Sequence, residues 1–216
     1  MDGKEPGLEK ARWVRLWSRL DARGNGVPEF ERLQAAYAEP TRVYHTAAHI
    51  QDCLTAFDRS RDLARHPDSV EAAIWYHDAV YAPGAPDNEE RSARLGETDL
   101  TNGGVSPDIV LRVGRLVRAT THQQPPDEPD AQLLCDIDLS ILGREVAAYD
   151  EFERRIRREY AGVPETMYRR GRSALLESFL TRPFIYATER FRWQYERAAR
   201  TNLTRALSQL ASPADF

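Results

Sequence analysis

Apolar residues recur every three or four positions along almost the whole chain, the spacing of one helix face rather than the alternation of a strand. Leu8, Trp13, Leu16, Trp17 and Leu20 form a first stripe, and Phe30, Leu33 and Tyr37 form a second after Pro28. Ile50, Cys53, Leu54 and Phe57 predict a long third helix from about Val43 past Phe57. Pro67 opens a fourth, which carries Val70, Ala73, Ile74 and His77 on one face and ends near Tyr81, before the turn-rich stretch APGAPDNEE. Further helices are expected from Glu89 to about Leu100, from Ser106-Pro107 through Val117, from Gly143 through Tyr160, around Leu175 to Leu180, and from about Thr188 through Leu210. The segment QQPPDEPD reads as a polar loop. Convincing period-two strands and internal repeats are both absent, so the expected fold class is all-α, a single irregular helical bundle. At 216 residues the chain suits one domain, with a core over about residues 13–207 and short flexible termini.

Charge narrows the range of partners. The formal net charge is −4 and the pI about 5.8, so no global positive field draws the chain to nucleic-acid phosphates. Of the 30 basic residues only Lys4 and Lys10 are lysines, a chain-wide bias toward arginine that leaves arginine clusters with little functional weight. Cys53 and Cys135 lie far apart without CxxC spacing, which indicates neither a thiolate zinc site nor a disulfide framework. No apolar run is long enough to span a bilayer, and the opening MDGKEPGLEKARW lacks the hydrophobic stretch of a secretory signal. A chain in a reducing cytoplasm, with no membrane or nucleic-acid partner, is expected.

Chemistry concentrates in three short segments. His77-Asp78 stands in the last turn of a predicted helix, after Tyr44-His45-Thr46-Ala47-Ala48-His49-Ile50 and before Cys135-Asp136-Ile137-Asp138-Leu139-Ser140. Neutral imidazoles combined with ionised carboxylates suit divalent manganese, iron, cobalt, nickel or zinc, whereas an all-oxygen set would favour magnesium or calcium. Adjacent helical residues differ by about 100° in direction, so His77 and Asp78 reach one ion only from the rim of a helix face. His45 and His49, four apart, are expected on one face of one helix, so that one can bind metal while the other meets substrate. A lone histidine is more often a hydrogen-bonded core residue than a ligand. A His-His pair, a His-Asp pair and a DxD within one chain of five histidines shift the balance toward a metal site.

The ordered pattern His…His-Asp…Asp on helices resembles the HD-domain superfamily of metal-dependent phosphohydrolases. More narrowly, YHTAAHIQDCL, AIWYHDAVY, DNEERSA, ATTH, DIDLSILG and IRREYAGV together resemble a branch of small predicted metal-dependent HD phosphohydrolases, over about residues 13–207. The resemblance implies one firmly bound divalent transition metal held by His49, His77, Asp78 and Asp138, with a second ion sharing Asp78 left open. The YHxxxH block is also similar to that of cyclic-nucleotide phosphodiesterases, which implies proton donation by His45 and metal binding by His49. The Asp-Leu-Ser sequence of that comparison selects Asp138 over Asp136, leaving Asp136 to orient a ligand. The implied reaction is attack of a metal-activated water on a phosphoester, with Asp78 or Asp138 taking the water proton and His45 protonating the leaving oxygen. A nucleotide or related small phosphorylated metabolite is the expected substrate.

Several further residues are candidates at the same site. Glu89, beside Asn88 after the Pro/Gly-rich loop, is expected to hold a water at the ion or a sugar hydroxyl, with Asn88 on the substrate. An equal alternative for Glu89 is a carboxylate placed at a helix N-terminus by the helix dipole. His122, beside Thr120 and Thr121, is a candidate for phosphate or a second ion, balanced against a structural role. Arg172 is the preferred phosphate fork over Arg157 and Arg182. Trp75, Tyr76 and Tyr81 are expected mainly in core packing. No GxxxxGK[ST], GxGxxG or GxSxG motif is present, which removes sequence support for kinase, dehydrogenase or serine-hydrolase chemistry. Two other functions stay open: a di-iron oxygenase, which needs more histidines than His122 between His77 and Asp138, and a non-catalytic module that senses a nucleotide.

Overall fold

In a computed structural model, which describes residues 8–212, every regular element is helical. The expected flexible termini and leaderless start concern residues 1–7 and 213–216 in whole or part, and these lie outside the described residues. Ten α-helices occur among the described residues: α1 Lys10–Arg19, α2 Val27–Ala36, α3 Ala47–Asp58, α4 Pro67–Tyr76, α5 Asn88–Asn102, α6 Pro107–Ala119, α7 Pro129–Asp138, α8 Val146–Glu159, α9 Glu165–Leu180 and α10 Glu189–Ala211. Short 3-10 turns cover Arg61–Leu63 and Leu139–Gly143. No helix among the described residues is long and apolar enough to cross a membrane. The chain divides into two compact units, residues 1–137 and 138–216. The dividing line falls at the last residue of α7, so that helix is described whole, with the first unit.

In the first unit α4 is the central element, packed by α1, α3, α5 and α6. Its residues Ser69 through Tyr76 are all buried, which explains why its sequence, SVEAAIWY, lacks a polar stripe. The one charge among them, Glu71, is neutralised by guanidinium groups of Arg12, Arg19 and Arg61 at 2.9, 2.7 and 2.7 Å. Trp13 of α1 packs its indole against Trp17, Trp75 and Tyr76 at centroid distances of 5.6, 5.3 and 5.7 Å, and its Nε1 donates to the carbonyl of Gly26 at 2.6 Å. Gly26 has φ of 65°, and a Cβ there would lie 2.6 Å from Trp17, so the α1–α2 turn requires glycine twice over. α7 is tied to the segment before α4 by buried Asp130, which accepts from the backbone N–H groups of Arg65 and His66 at 2.7 and 3.0 Å.

In the second unit the 3-10 turn Leu139–Gly143 lies against α10. A Cβ on Gly143 would meet the Tyr195 backbone oxygen at 2.8 Å, so the close approach depends on glycine. The Asn202 amide donates to the carbonyls of Leu142 and Arg144, and the Tyr186 hydroxyl donates to that of Leu139 at 3.0 Å.

Two helix ends differ from the periodicity expectation, and both lie at the candidate chemistry. α3 starts at Ala47 rather than near Val43, and α4 stops at Tyr76 rather than near Tyr81. Thr46 is extended (φ −114°, ψ 179°) and its N–H bonds back to the Tyr44 carbonyl at 2.7 Å, a turn that forbids helix over residues 43–46. At the other end His77 caps α4, the Ala79 N–H turns back to the Tyr76 carbonyl, and Val80 exchanges both backbone bonds with the Ser92 hydroxyl. His45 therefore precedes α3 instead of sharing a helix face with His49.

Candidate metal centre

α3 carries His49 on its first turns, and its next turn places Cys53 on the same side. α4 presents His77 and Asp78 as it ends, and α7 ends at Asp138. His49, Cys53 and His77 are buried and Asp138 is partly buried. One atom from each of His49, Cys53, His77 and Asp138 lies within 4.8 Å of every other, a group that can hold a metal ion. Asp78 adjoins the same histidines: its Oδ2 is 3.4 Å from His49 Nε2 and 3.1 Å from His77 Nε2. The two Nε2 atoms are 3.1 Å apart.

Hydrogen bonding fixes what these atoms present. His77 Nδ1 is 2.9 Å from the Ile74 carbonyl, which only accepts, so Nδ1 carries a proton and donates. A neutral His77 then turns a lone pair at Nε2 toward a carboxylate oxygen and a second imidazole nitrogen. A metal ion among the three atoms satisfies this arrangement, as does the ring proton of a neutral His49 at Nε2. The spacing fits an ion: bonds of ~2.1 Å at right-angled or tetrahedral geometry put neighbouring ligand atoms ~3.0–3.4 Å apart. Burial alone would raise the Asp78 carboxyl, but the charge of His77 and His45 when protonated, with the hydrogen bonds that His49 and His77 then donate, outweighs it and holds the group well below the ordinary carboxylate value. Asp78 is therefore an ionised oxygen donor beside two nitrogen donors, a mixed set suited to a first-row transition ion.

The cysteine spacing indicates no thiolate zinc site, yet Cys53 falls within the group of side chains that can hold a metal ion. CxxC spacing is the wrong signal here; the informative one is the four-residue step from His49, which puts both side chains on one helix face. Cys53 Sγ lies 3.7 Å from His49 Nε2 and 3.8 Å from Nδ1. Cys135, by contrast, donates its thiol to the Ala119 carbonyl at 3.3 Å.

Arg42, absent from the sequence candidates because arginine is so common in this chain, joins the two halves of the centre. Its buried guanidinium donates to the carbonyls of His45, Asp78 and Ala79 at 3.4, 2.6 and 3.1 Å. It also lies over the rings of Tyr37 and Tyr81, at 5.3 and 5.7 Å from their centroids. Tyr81 in turn stacks on His45, centroids 4.1 Å apart and planes 30° apart. His45 is thus held at ring and backbone, partly exposed, beside the buried His49 at 6.0 Å between centroids. Burial, then the nearby Asp78 carboxylate, push the Tyr37 phenol well above its ordinary value, so it stays neutral and donates to the Trp75 carbonyl.

The remaining candidates lie outside the four-residue group. Asn88 brackets Ala82, accepting its N–H and donating to its carbonyl, both at 2.9 Å, which closes the α4–α5 loop. Glu89 is in the first turn of α5, the position favoured by the helix dipole. His122 follows α6 in a left-handed conformation, φ 54°. Arg172 lies in the second unit, where it forks onto Glu153 at 2.6 and 3.1 Å and packs over Phe152. Arg157 donates to Glu165 and the Tyr160 carbonyl, and Arg182 packs over Phe179. Asp136 is buried on α7, two residues before Asp138. Trp75 and Tyr76 are core residues, as expected. Compared with protein-family models, curated proteins and solved structures, the chain matches none.

Proposed function

We propose that the chain is a metal-dependent phosphohydrolase of the HD-domain type, acting on a small phosphorylated metabolite such as a nucleotide. The observation that carries this reading is the convergence of His49 Nε2, His77 Nε2 and the ionised Asp78 carboxylate within 3.4 Å of one another, with Asp138 in the same neighbourhood. His49, His77, Asp78 and Asp138 would hold one divalent transition ion. When bound, the ion supplies Lewis acidity toward a phosphoryl oxygen and toward the attacking water.

The chain's own residues do the rest. Asp78, ionised and with its side chain 17% exposed, is placed to accept the proton of a water arriving from solvent. His45 stands at the exposed side, oriented by Tyr81 and by the Arg42 bond to its carbonyl, and delivers a proton to the leaving oxygen. Because His45 lies outside helix α3, it can meet substrate without giving up a ligand position. Its substitution separates the two roles. His45→Ala is expected to retain metal while its phosphate release from a panel of nucleotides and simple phosphoesters falls by a factor of about 10²–10⁴. Loss of metal from that variant, or full activity in it, would contradict the assignment.

A further inference from the structure

We propose that the Cys53 thiolate is a metal ligand, which makes the centre a sulfur-bearing site that favours zinc or cobalt(II) over manganese. This rests on the metal reading above and deepens it. Cys53 is buried, 3% exposed, and its Sγ belongs with His49, His77 and Asp138 to the group whose donor atoms all lie within 4.8 Å. An ion at ~2.3 Å from sulfur and ~2.1 Å from nitrogen, at a tetrahedral angle, separates those atoms by ~3.6 Å. Cys53 Sγ is 3.7 Å from His49 Nε2.

Imidazole, carboxylate and thiolate are the donor types zinc takes, and a zinc ion held by them can still admit a water or phosphoryl oxygen when a carboxylate yields its place or the coordination expands to five. A thiolate also discriminates among ions: sulfur raises affinity for zinc and cobalt(II) far more than for manganese or magnesium, which carboxylates and waters serve as well. Binding breaks the Cys53 S–H bond, forms the sulfur–metal bond and passes one proton to solvent, so loading the site acidifies an unbuffered solution. The competing account is a thiol packed against the His49 ring, where Sγ is 3.8 Å from Nδ1 as well.

Cobalt(II) distinguishes them, because a thiolate bound to cobalt gives an intense near-ultraviolet charge-transfer band and imidazole and carboxylate do not. The full-length protein would be stripped and titrated with cobalt(II), as wild type, Cys53→Ala and Cys53→Ser, with far-ultraviolet circular dichroism and thermal unfolding to establish that each folds. Wild type is expected to show the band saturating with the visible ligand-field bands. Both variants are expected to keep the ligand-field bands, lose the charge-transfer band, and show a zinc-over-manganese preference reduced about tenfold or more. Ligand-field bands in wild type without the charge-transfer band would overturn the thiolate assignment and leave the metal reading standing. A band that persists in folded Cys53→Ala would also overturn it. Failure of wild type to bind cobalt or zinc at all would overturn both.

Discussion

At the residue scale the account turns on a few side chains whose partners limit what they can do. His77 illustrates this: one hydrogen bond from Nδ1 to a carbonyl leaves Nε2, in the neutral ring, as the lone-pair atom that faces Asp78 and His49. Arg42 is its counterpart on the structural side. Replacing it with alanine leaves the buried or partly buried carbonyls of His45, Asp78 and Ala79 short of a donor and removes the cation between Tyr37 and Tyr81. Arg42→Ala is therefore expected to lower unfolding stability by about 2–3 kcal/mol in urea denaturation. Arg42→Lys is expected to recover only part, because one ammonium cannot serve the same planar array. A loss within experimental error for Arg42→Ala would show that the clamp is not formed. The sequence displayed His49, His77, Asp78 and Asp138 as metal-type residues because their chemistry is uncommon. Arg42 and Cys53 were hidden, the first among many arginines and the second by a spacing rule built for a different kind of site.

At the element scale, periodicity located the helices, because burial of one face dictates where apolar residues stand. α10 begins one residue after Thr188, where the pattern placed it, and α6 begins at Pro107 behind Ser106. Of the two ends that periodicity misplaced, that of α3 is set by the local Thr46–Tyr44 turn and that of α4 by long-range partners: Arg42 and Ser92 draw the chain out of helical geometry around Asp78, and no local pattern announces that. α5 and α6 offer a test of such cross-element ties. Arg118 of α6 forks onto Glu90 and Glu97 of α5, at 2.6 Å to each. Hydrogen bonds from Arg118 and Arg94, against a smaller effect of burial, hold the Glu90 carboxyl down to about 2. A carboxyl depressed on folding lends stability above its unfolded value of about 4.3 and loses it as pH falls toward the folded value. Glu90→Gln is expected to be less stable than wild type near neutral pH, with the difference shrinking as pH falls from about 4.3 toward about 2. Urea midpoints measured across that window would check it, and a difference that is constant with pH would contradict the tie.

At the scale of the whole molecule, the two units carry separate expectations. In the second, Arg172 is partly buried beside Glu153 and Phe152. Burial lowers its affinity for the proton, but the Glu153 carboxylate more than offsets this and keeps the guanidinium charged. Arg172→Ala is expected to lower stability by about 2–3 kcal/mol, since Glu153 would remain with only the Tyr149 hydroxyl as a close donor. Metal content is expected to stay at the wild-type value, since the guanidinium is committed to Glu153, and its loss would contradict that role. In the first unit, an ion that binds only the folded chain stabilises it by mass action. For protein kept with free ion at about a hundredfold excess over the dissociation constant, chelation is expected to lower Tm by roughly 5–10 °C.

The most direct test of the central claim is metal content per chain, by elemental analysis after reconstitution with zinc or manganese and removal of excess, on wild type and His77→Gln side by side. The account predicts about one equivalent of ion in wild type and little or none in the variant, at equal helical content. Equal metal in both, or negligible metal in wild type, would mean that hydrogen bonds alone, and no metal ion, join His49, His77 and Asp78 and that the His-Asp constellation is structural.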